Sequence, residues 1–309
     1  LKNSRRKEIR KVLDKVEELI RGAYDLHVHA GPDIVPRRQD ILEVARDALN
    51  SGMGGLVFKD HYTTTADRAR IAREVVPGVN SFGGIVLNYS VGGLNPEAVD
   101  KAIKLGAKII WMPSVDAAYT VKKVVATNET PWLKPFVSLH GIEDGISVLK
   151  GGLNGSELVP EIPEILKLIA DADIILDTCH LCAREAFPLV KEAKKMGINK
   201  IIVTHPNCSV NKMTISEQRK FAELGAFLSY AYLPCMPMFD RQDPREIVPM
   251  IEAVGTNHCL LFSDFGQILN PPVVEGLKLF IENLLVLGIP EDGIRTMVKH
   301  NPEKLLNMI

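Results

Sequence analysis

The sequence predicts a closed (β/α)8 barrel. Three observations carry that expectation: a repeating order of short β-rich run, polar loop and amphipathic helix; a count of eight such runs; and a length of 309 residues, somewhat above the ~250 typical of the barrel. Periodicity alone admits a doubly wound sheet, and the count of eight favours closure. The surplus length sits mainly at the two ends and in one excursion after the fourth strand.

The first run is "AYDLHVHA", followed by a helix in "DILEVARDALNSG". Asp40 is placed to cap that helix, and Ile41, Val44, Ala45, Ala48 and Leu49 recur at helical spacing to form its apolar stripe. "GGLVFKD" is the second strand, before a helix in "TADRARIAREVV", and "FGGIVLN" is the third. "NPEAVDKAIKLG" follows it with Asn95 at the cap, Pro96 at the first helical position and Gly106 as the stop. "AKIIWMP", "DIILDTCH", "KIIVTHPN", "AFLSYAY" and "CLLFSDFG" complete the eight. The last four are each followed by a helical segment: "REAFPLVKEAKKMG", "ISEQRKFAELG", "DPREIVPMIEAVG" and "VVEGLKLFIENLLVLG".

Residues 1–22 are charged with interleaved apolar positions and read as a surface helix covering the bottom of the fold. They lack the unbroken apolar stretch of a signal peptide, and acidic residues within them disfavour a mitochondrial presequence. Residues 114–159 form the long excursion, whose β-branched runs around Gly and Asn predict one or two hairpins serving as a lid or a homo-oligomer contact. No internal repeat or low-complexity linker divides the chain, so residues 1–309 are read as one domain.

Composition excludes several function classes. Lys and Arg total 37 against 38 for Asp and Glu, so neither a phosphate-tracking nucleic-acid surface nor a polybasic membrane patch is indicated. No segment is long and apolar enough to span a bilayer. Five cysteines, an odd number in a chain of this size, favour a reducing compartment, and the cytoplasm is the expectation.

In a parallel barrel the strand C-termini converge on one face, so the polar residues at those ends are the informative ones. They are His27 and His29 on strand one; Lys59, Asp60 and His61 on strand two; Asn88 on three; His180 on five; His205 on six; and Asp264 on eight. His27 and His29 flank only Val28, and a strand's period of two aims both rings at one side. A single strand-end histidine is more often a hydrogen-bonded structural residue than a ligand. The convergence of His27, His29, His180, His205 and Asp264 reverses that balance, because imidazole and carboxylate together are ligands for zinc, manganese, iron or nickel.

On these residues the chain resembles the amidohydrolase superfamily of metal-dependent barrel hydrolases. The matching segments are "HVH", His180 in "DTCHL", His205 in "VTHPN", Asp264 in "FSDFG" and the C-terminal "HNPEKLLNM", covering the chain from about Tyr24 onward. The resemblance implies that His27, His29 and Asp264 hold one metal and that His180 and His205 hold a second or contact substrate. It also implies a carbamylated Lys or a Glu from strand four, or in some branches three, bridging two metals. Here the sequence departs, since strand four ends "WMPS" and strand three "VLNYS". The candidate bridge is Lys59 on strand two, for which three readings stay open: a carbamate bridge, a cationic substrate anchor, and an ion-pair partner of Asp60.

The function so implied is hydrolysis of an amide, lactone or ester by metal-activated water, with one or two ions, zinc foremost. Asp264 and His205 are the expected catalytic pair. The substrate is a small molecule, with a lean toward an anion from Arg37, Arg38 and Arg184 at the predicted mouth. His61, Arg37, Arg184 and Tyr232 are the substrate-binding candidates, with Tyr62, Asn88, Tyr89, Asn207 and Gln267 as further hydrogen-bonding ones. The rivals are a mononuclear-metal decarboxylase, a metal-dependent phosphoesterase, and a barrel that keeps metal for structure alone. His140 is either a lid residue or solvated, and His258 and His300 are assigned no chemistry. Cys179 and Cys182 lack the second thiol pair a zinc ribbon needs and are read as packing at the barrel wall.

Overall fold

The computed structural model describes residues 2–128, 130–137 and 145–308. Among them eight parallel strands pair in chain order around a barrel. They are β1 Tyr24–Val28, β2 Gly55–Phe58, β3 Asn80–Val86, β4 Ile109–Trp111, β5 Ile175–Asp177, β6 Ile201–Thr204, β7 Phe227–Ala231 and β8 Cys259–Phe262. Covered by helices outside and packed against one another inside, these strands are buried on both faces, which is why they read as apolar runs rather than alternating ones. The seam between first and last strands is joined just beyond β8. There the Asp264 amide donates to the His27 carbonyl at 3.1 Å, and the His29 amide to the Phe265 carbonyl at 2.8 Å. Buried Asp25 straddles the same seam, accepting from the amides of His27 at 3.1 Å and Ser263 at 3.0 Å.

The helices follow the sequence expectation closely. α1 (Lys2–Ile20) buries Val16, Leu19 and Ile20. Its Glu17 and Glu18 pair with Lys278 and Arg295 at 2.8 Å each. α2 (Ile41–Asn50) begins with a capping box between Asp40 and Glu43. α3 (Ala66–Val75) and α4 (Pro96–Lys104) come next, the latter capped by Asn95 and stopped at Gly106, whose φ is +98°. After α5 (Ala118–Val121) and α6 (Glu161–Ala172), the remaining major helices are α7 (Ala183–Lys195), α8 (Ile215–Glu223), α9 (Val248–Val254) and α10 (Val273–Val286). Near the C-terminus, Asn301 donates to the carbonyls of Thr256 and Cys259 at 2.9 and 2.8 Å and so secures the start of β8.

The excursion after β4 differs from the hairpins expected there. Its described residues form α5, a π-helical turn at Lys122–Thr127 and 3₁₀ turns at Pro131–Phe136 and Gly152–Asn154. One antiparallel bridge, Leu149 to Leu158, is the sole hairpin-like pairing among them. Packing overrides the β-branched composition: Val121 and Val124, one helical turn apart, bury against Val115, Leu133, Val137, Cys208 and Val210 in a small core separate from that of the barrel. Pro131 and Pro135 withhold the backbone donors a hairpin would need. His140 lies outside the described residues.

Candidate metal centre

Side chains from five strand ends meet at the C-terminal mouth. His27 is in β1 and His29 just beyond it, Lys59 and His61 follow β2, His180 follows β5, His205 follows β6 and Asp264 follows β8. All seven are buried. The backbone at three of these ends is left-handed without glycine: φ is +50° at Cys179, +30° at His205 and +58° at Asp264. Such conformations cost ~1–3 kcal/mol each and persist only where the surroundings enforce them, a pattern that clusters at active sites.

His27 Nε2 and His29 Nε2 each stand 3.3 Å from Asp264 Oδ1. Two donors at ~2.1 Å from a shared cation, at a tetrahedral angle, lie ~3.4 Å apart, so these separations suit a common ion. The three residues form a group whose ligand atoms all lie within 4.8 Å of one another. Neither ring nitrogen of His27 has a hydrogen-bond partner, although the ring is 2% exposed. A buried imidazole left so is costly, and a cation on Nε2 would relieve it. The donor set therefore fits a divalent ion.

The other histidines face this group. The ring centroid of His205 is 6.0 Å from that of His27 and 5.1 Å from that of His180, and His61 stacks on His29 at 4.9 Å. Each is anchored through Nδ1: His205 to Asn211 Oδ1 at 2.8 Å, His180 to Thr120 Oγ1 at 3.3 Å and His61 to Ser114 Oγ at 2.8 Å. Asn211 gives its amide hydrogens to the carbonyls of Cys179 and Thr204, so its oxygen faces the ring. His205 Nδ1 consequently carries the proton and Nε2 keeps a free lone pair.

Burial, reinforced by neighbouring positive charge, lowers the pKa of His27, His29, His61 and His180 well below 6.5 and that of His205 to about 3. All five are thus neutral at cellular pH, the form in which imidazole ligates. Burial also raises Asp264 to about 7, against the lowering influence of Lys59. A bare carboxylate is disfavoured at this spot unless a cation accompanies it.

Lys59 is 2% exposed, and its Nζ donates to Cys179 Sγ at 3.2 Å and lies 5.7 Å from the Trp111 ring centroid. Its neighbour Asp60 turns elsewhere, to Arg68 at 2.8 Å and the Tyr62 amide at 2.7 Å. The ion-pair reading for Lys59 is therefore corrected: adjacent residues on an extended segment point opposite ways. No carboxylate lies within ion-pair distance of Lys59 among the described residues.

The centre floors a mouth pocket, about 470 Å³ with its open solvent included, lined by His27, His29, Arg37, Lys59, His61, His180, His205, Asp264 and Gln267. Arg37 is not free, since both Nε and a terminal nitrogen lie 2.7 Å from Asp33. Arg184 and Tyr232 lie outside the lining. Arg184 donates to the Asn154 carbonyl at 3.0 Å, whereas Tyr232 stacks on Phe265 and Phe280 and its hydroxyl accepts from Asn283 at 2.9 Å. Asn88 and Asn207 brace loops: Asn88 bonds the His61 carbonyl and Ser114, Asn207 the Ala231 carbonyl and Gln242. Cys182 Sγ contacts Glu185 at 3.4 Å. Sequence reasoning missed the apolar wall, Trp132, Leu133, Phe136, Val210, Leu233 and Phe239. The aromatic-rich "PWLKPF" within an otherwise polar excursion was the available signal.

A family model described as a family of unknown function, DUF6282, matches residues 22–229, from just before β1 into β7. The chain belongs to that family. The DUF6282 match spans His27 and His29 together with Lys59, His61, His180 and His205, and ends before Asp264. Among curated proteins none matches the sequence. Solved structures similar in fold include the probable dipeptidase PvdM from Pseudomonas aeruginosa, with TM-score 0.62 and 12% identity over 96% of this chain and 98% of that one. An amidohydrolase from the same organism gives 0.58 and 13% over 96% and 98%. The phosphotriesterase homology protein from Escherichia coli, solved with phosphate in its active site, gives 0.55 and 13% over 93% and 99%. At such identities the likeness is one of fold, and it is the barrel fold that the resemblance to amidohydrolases implied.

Proposed function

We propose that the chain is a metal-dependent hydrolase acting on a C–N or C–O bond of a small substrate, an amide, lactone or ester. The observation that carries this reading is His27: a buried imidazole with both nitrogens unpartnered, 3.3 Å from a carboxylate oxygen that His29 also faces. Likeness in fold to structures titled amidohydrolase, dipeptidase and phosphotriesterase homologue supports it.

His27, His29 and Asp264 would hold one ion, with zinc best suited to an imidazole-rich set, and His180 and His205 would hold a second or contact substrate. A divalent cation there supplies Lewis acidity to water and to the oxygen of the scissile group. Asp264, ionised by the cation it would help to hold, is placed to take a proton from the attacking water and return it to the leaving atom. His205, its tautomer fixed by Asn211, presents Nε2 to the cavity. Lys59, lacking a carboxylate partner, is fitted to become a carbamate, an anion of the kind that bridges two cations. The five cysteines are all free thiols, which supports a reducing, cytoplasmic setting.

The test is turnover of an ester, lactone, amide and phosphoester panel by the metal-depleted chain before and after zinc or manganese is restored. Restored metal should restore ester, lactone or amide hydrolysis, and Asp264→Asn should lower it at least ~100-fold. Turnover indifferent to metal, or confined to the phosphoesters, would overturn the reading.

A further inference from the structure

We infer that the substrate carries a neutral, flat apolar body, the chemical class being an ester or lactone bearing an aryl group; this rests on the hydrolase reading of the same site. The cavity has two chemically distinct halves. Its floor is imidazole, Lys59 and Asp264, and its wall is Trp132, Leu133 and Phe136 facing Val210, Leu233 and Phe239. Leu133 and Val210 belong to the small separate core, which makes the wall a built feature rather than a loose loop. Trp132, Phe136 and Phe239 remain only half-buried. The Trp132 ring meets Phe239 edge-on at 5.0 Å, and the Phe136 ring lies 6.4 Å from His61, where wall joins floor.

The polar parts of the wall are turned away from the cavity. Trp132 Nε1 donates to Asp240 at 3.2 Å, and Asp240 also accepts from the Ser209 amide and hydroxyl. Arg37 is neutralised by Asp33. Apart from Asp264 in the floor, no carboxylate lines the cavity among the described residues. A charged group held against the wall, away from Lys59 in the floor, would lose water without gaining a partner, whereas an aromatic body would cover apolar surface. Its ester or lactone group would then lie over the histidines. Hydrolysis there breaks the acyl C–O bond, joins the water oxygen to the acyl carbon and gives a proton to the departing alkoxide.

Calorimetric titration of the metal-replete chain with naphthylmethanol and its matched cation, naphthylmethylammonium, tests this. The alcohol should saturate a single site and the ammonium bind at least about tenfold more weakly. Phe136→Ala should weaken the alcohol by about tenfold, with Phe136→Leu recovering part of the loss. No saturable binding of the alcohol, equal binding of the ammonium, or unchanged affinity in Phe136→Ala would overturn the inference. Its failure is separable from that of the hydrolase reading. Binding of the alcohol without turnover of naphthylmethyl acetate would sink hydrolysis and leave the apolar wall's role standing. Turnover of ethyl acetate as efficient as that of naphthylmethyl acetate would do the reverse.

Discussion

Asn211 Oδ1 stands 2.8 Å from His205 Nδ1 and fixes which nitrogen of that ring faces the cavity. The asparagine is itself held by two backbone carbonyls, Cys179 and Thr204, so the orientation belongs to the barrel frame. Asn211→Leu removes the acceptor and leaves those carbonyls unpaired. Partners of metal-facing histidines typically matter by ~10–100-fold in metal affinity or activity, and a loss in that range is expected in turnover by the reconstituted enzyme. Activity within twofold of wild type, measured at saturating zinc, would remove Asn211 from the account.

Lys59 offers a second test. If it forms a carbamate, bicarbonate should raise the number of ions bound per chain, and isotopically labelled bicarbonate should give a carbamate carbon signal absent from Lys59→Gln. Identical stoichiometry with and without bicarbonate, together with no labelled signal, would leave Lys59 as the amine that donates to Cys179.

Gly266 tests how tightly the seam positions His29. Its φ is +141°, and a Cβ there would come within 1.9 Å of the His29 carbonyl and 2.7 Å of its Cβ. Gly266→Ala must therefore displace the loop after Asp264 or the end of β1. Zinc affinity is expected to fall at least about tenfold while the far-ultraviolet spectrum stays barrel-like. Unchanged affinity would contradict the claim that the packing at Gly266 positions His29 for the centre.

Metal-free protein should lose stability on acidification. His27, His29, His61, His180 and His205 have folded-state pKa values lowered below 6.5, so the unfolded chain takes up protons there first as pH falls. Each such proton is worth ~1.4 kcal/mol per pH unit below ~6.5. Asp25 and Asp264, raised to about 7, and Asp177, raised to about 6, act oppositely: they hold protons when folded, and their contribution fades as pH rises toward those values. Five imidazoles outweigh these three carboxyls and Glu185, whose carboxyl burial also raises. Tm of the metal-free chain should drop between pH ~6.5 and ~5, and a rise over that window would contradict the assigned burial.

The barrel was legible because its signals are local and repeated: eight β-rich runs, Asp40 and Asn95 at caps, Gly106 at a stop. The histidines were legible because strand ends of a parallel barrel converge whatever their separation in sequence. What failed depended on packing. The β-branched "TVKKVVAT" reads as strand, yet Val121 and Val124 find a core only when wound into helix. Arg37, Arg184 and Tyr232 lie near strand ends in the sequence. The sequence does not reveal that Asp33 occupies the first, that the Asn154 carbonyl takes the second, or that the third packs outward on Phe280. The apolar wall escaped because its residues come from three loops, those after β4, β6 and β7, that only the folded barrel brings together.

The central claim is that His27, His29 and Asp264 hold a divalent ion. Zinc titration of the metal-depleted chain by calorimetry, with metal analysis of the product, tests it most directly. The account requires tight binding of at least one ion per chain, accompanied by proton release as Asp264 ionises, and loss of that binding in His27→Ala and in Asp264→Ala. Zinc retained at wild-type affinity and stoichiometry in both variants would contradict it.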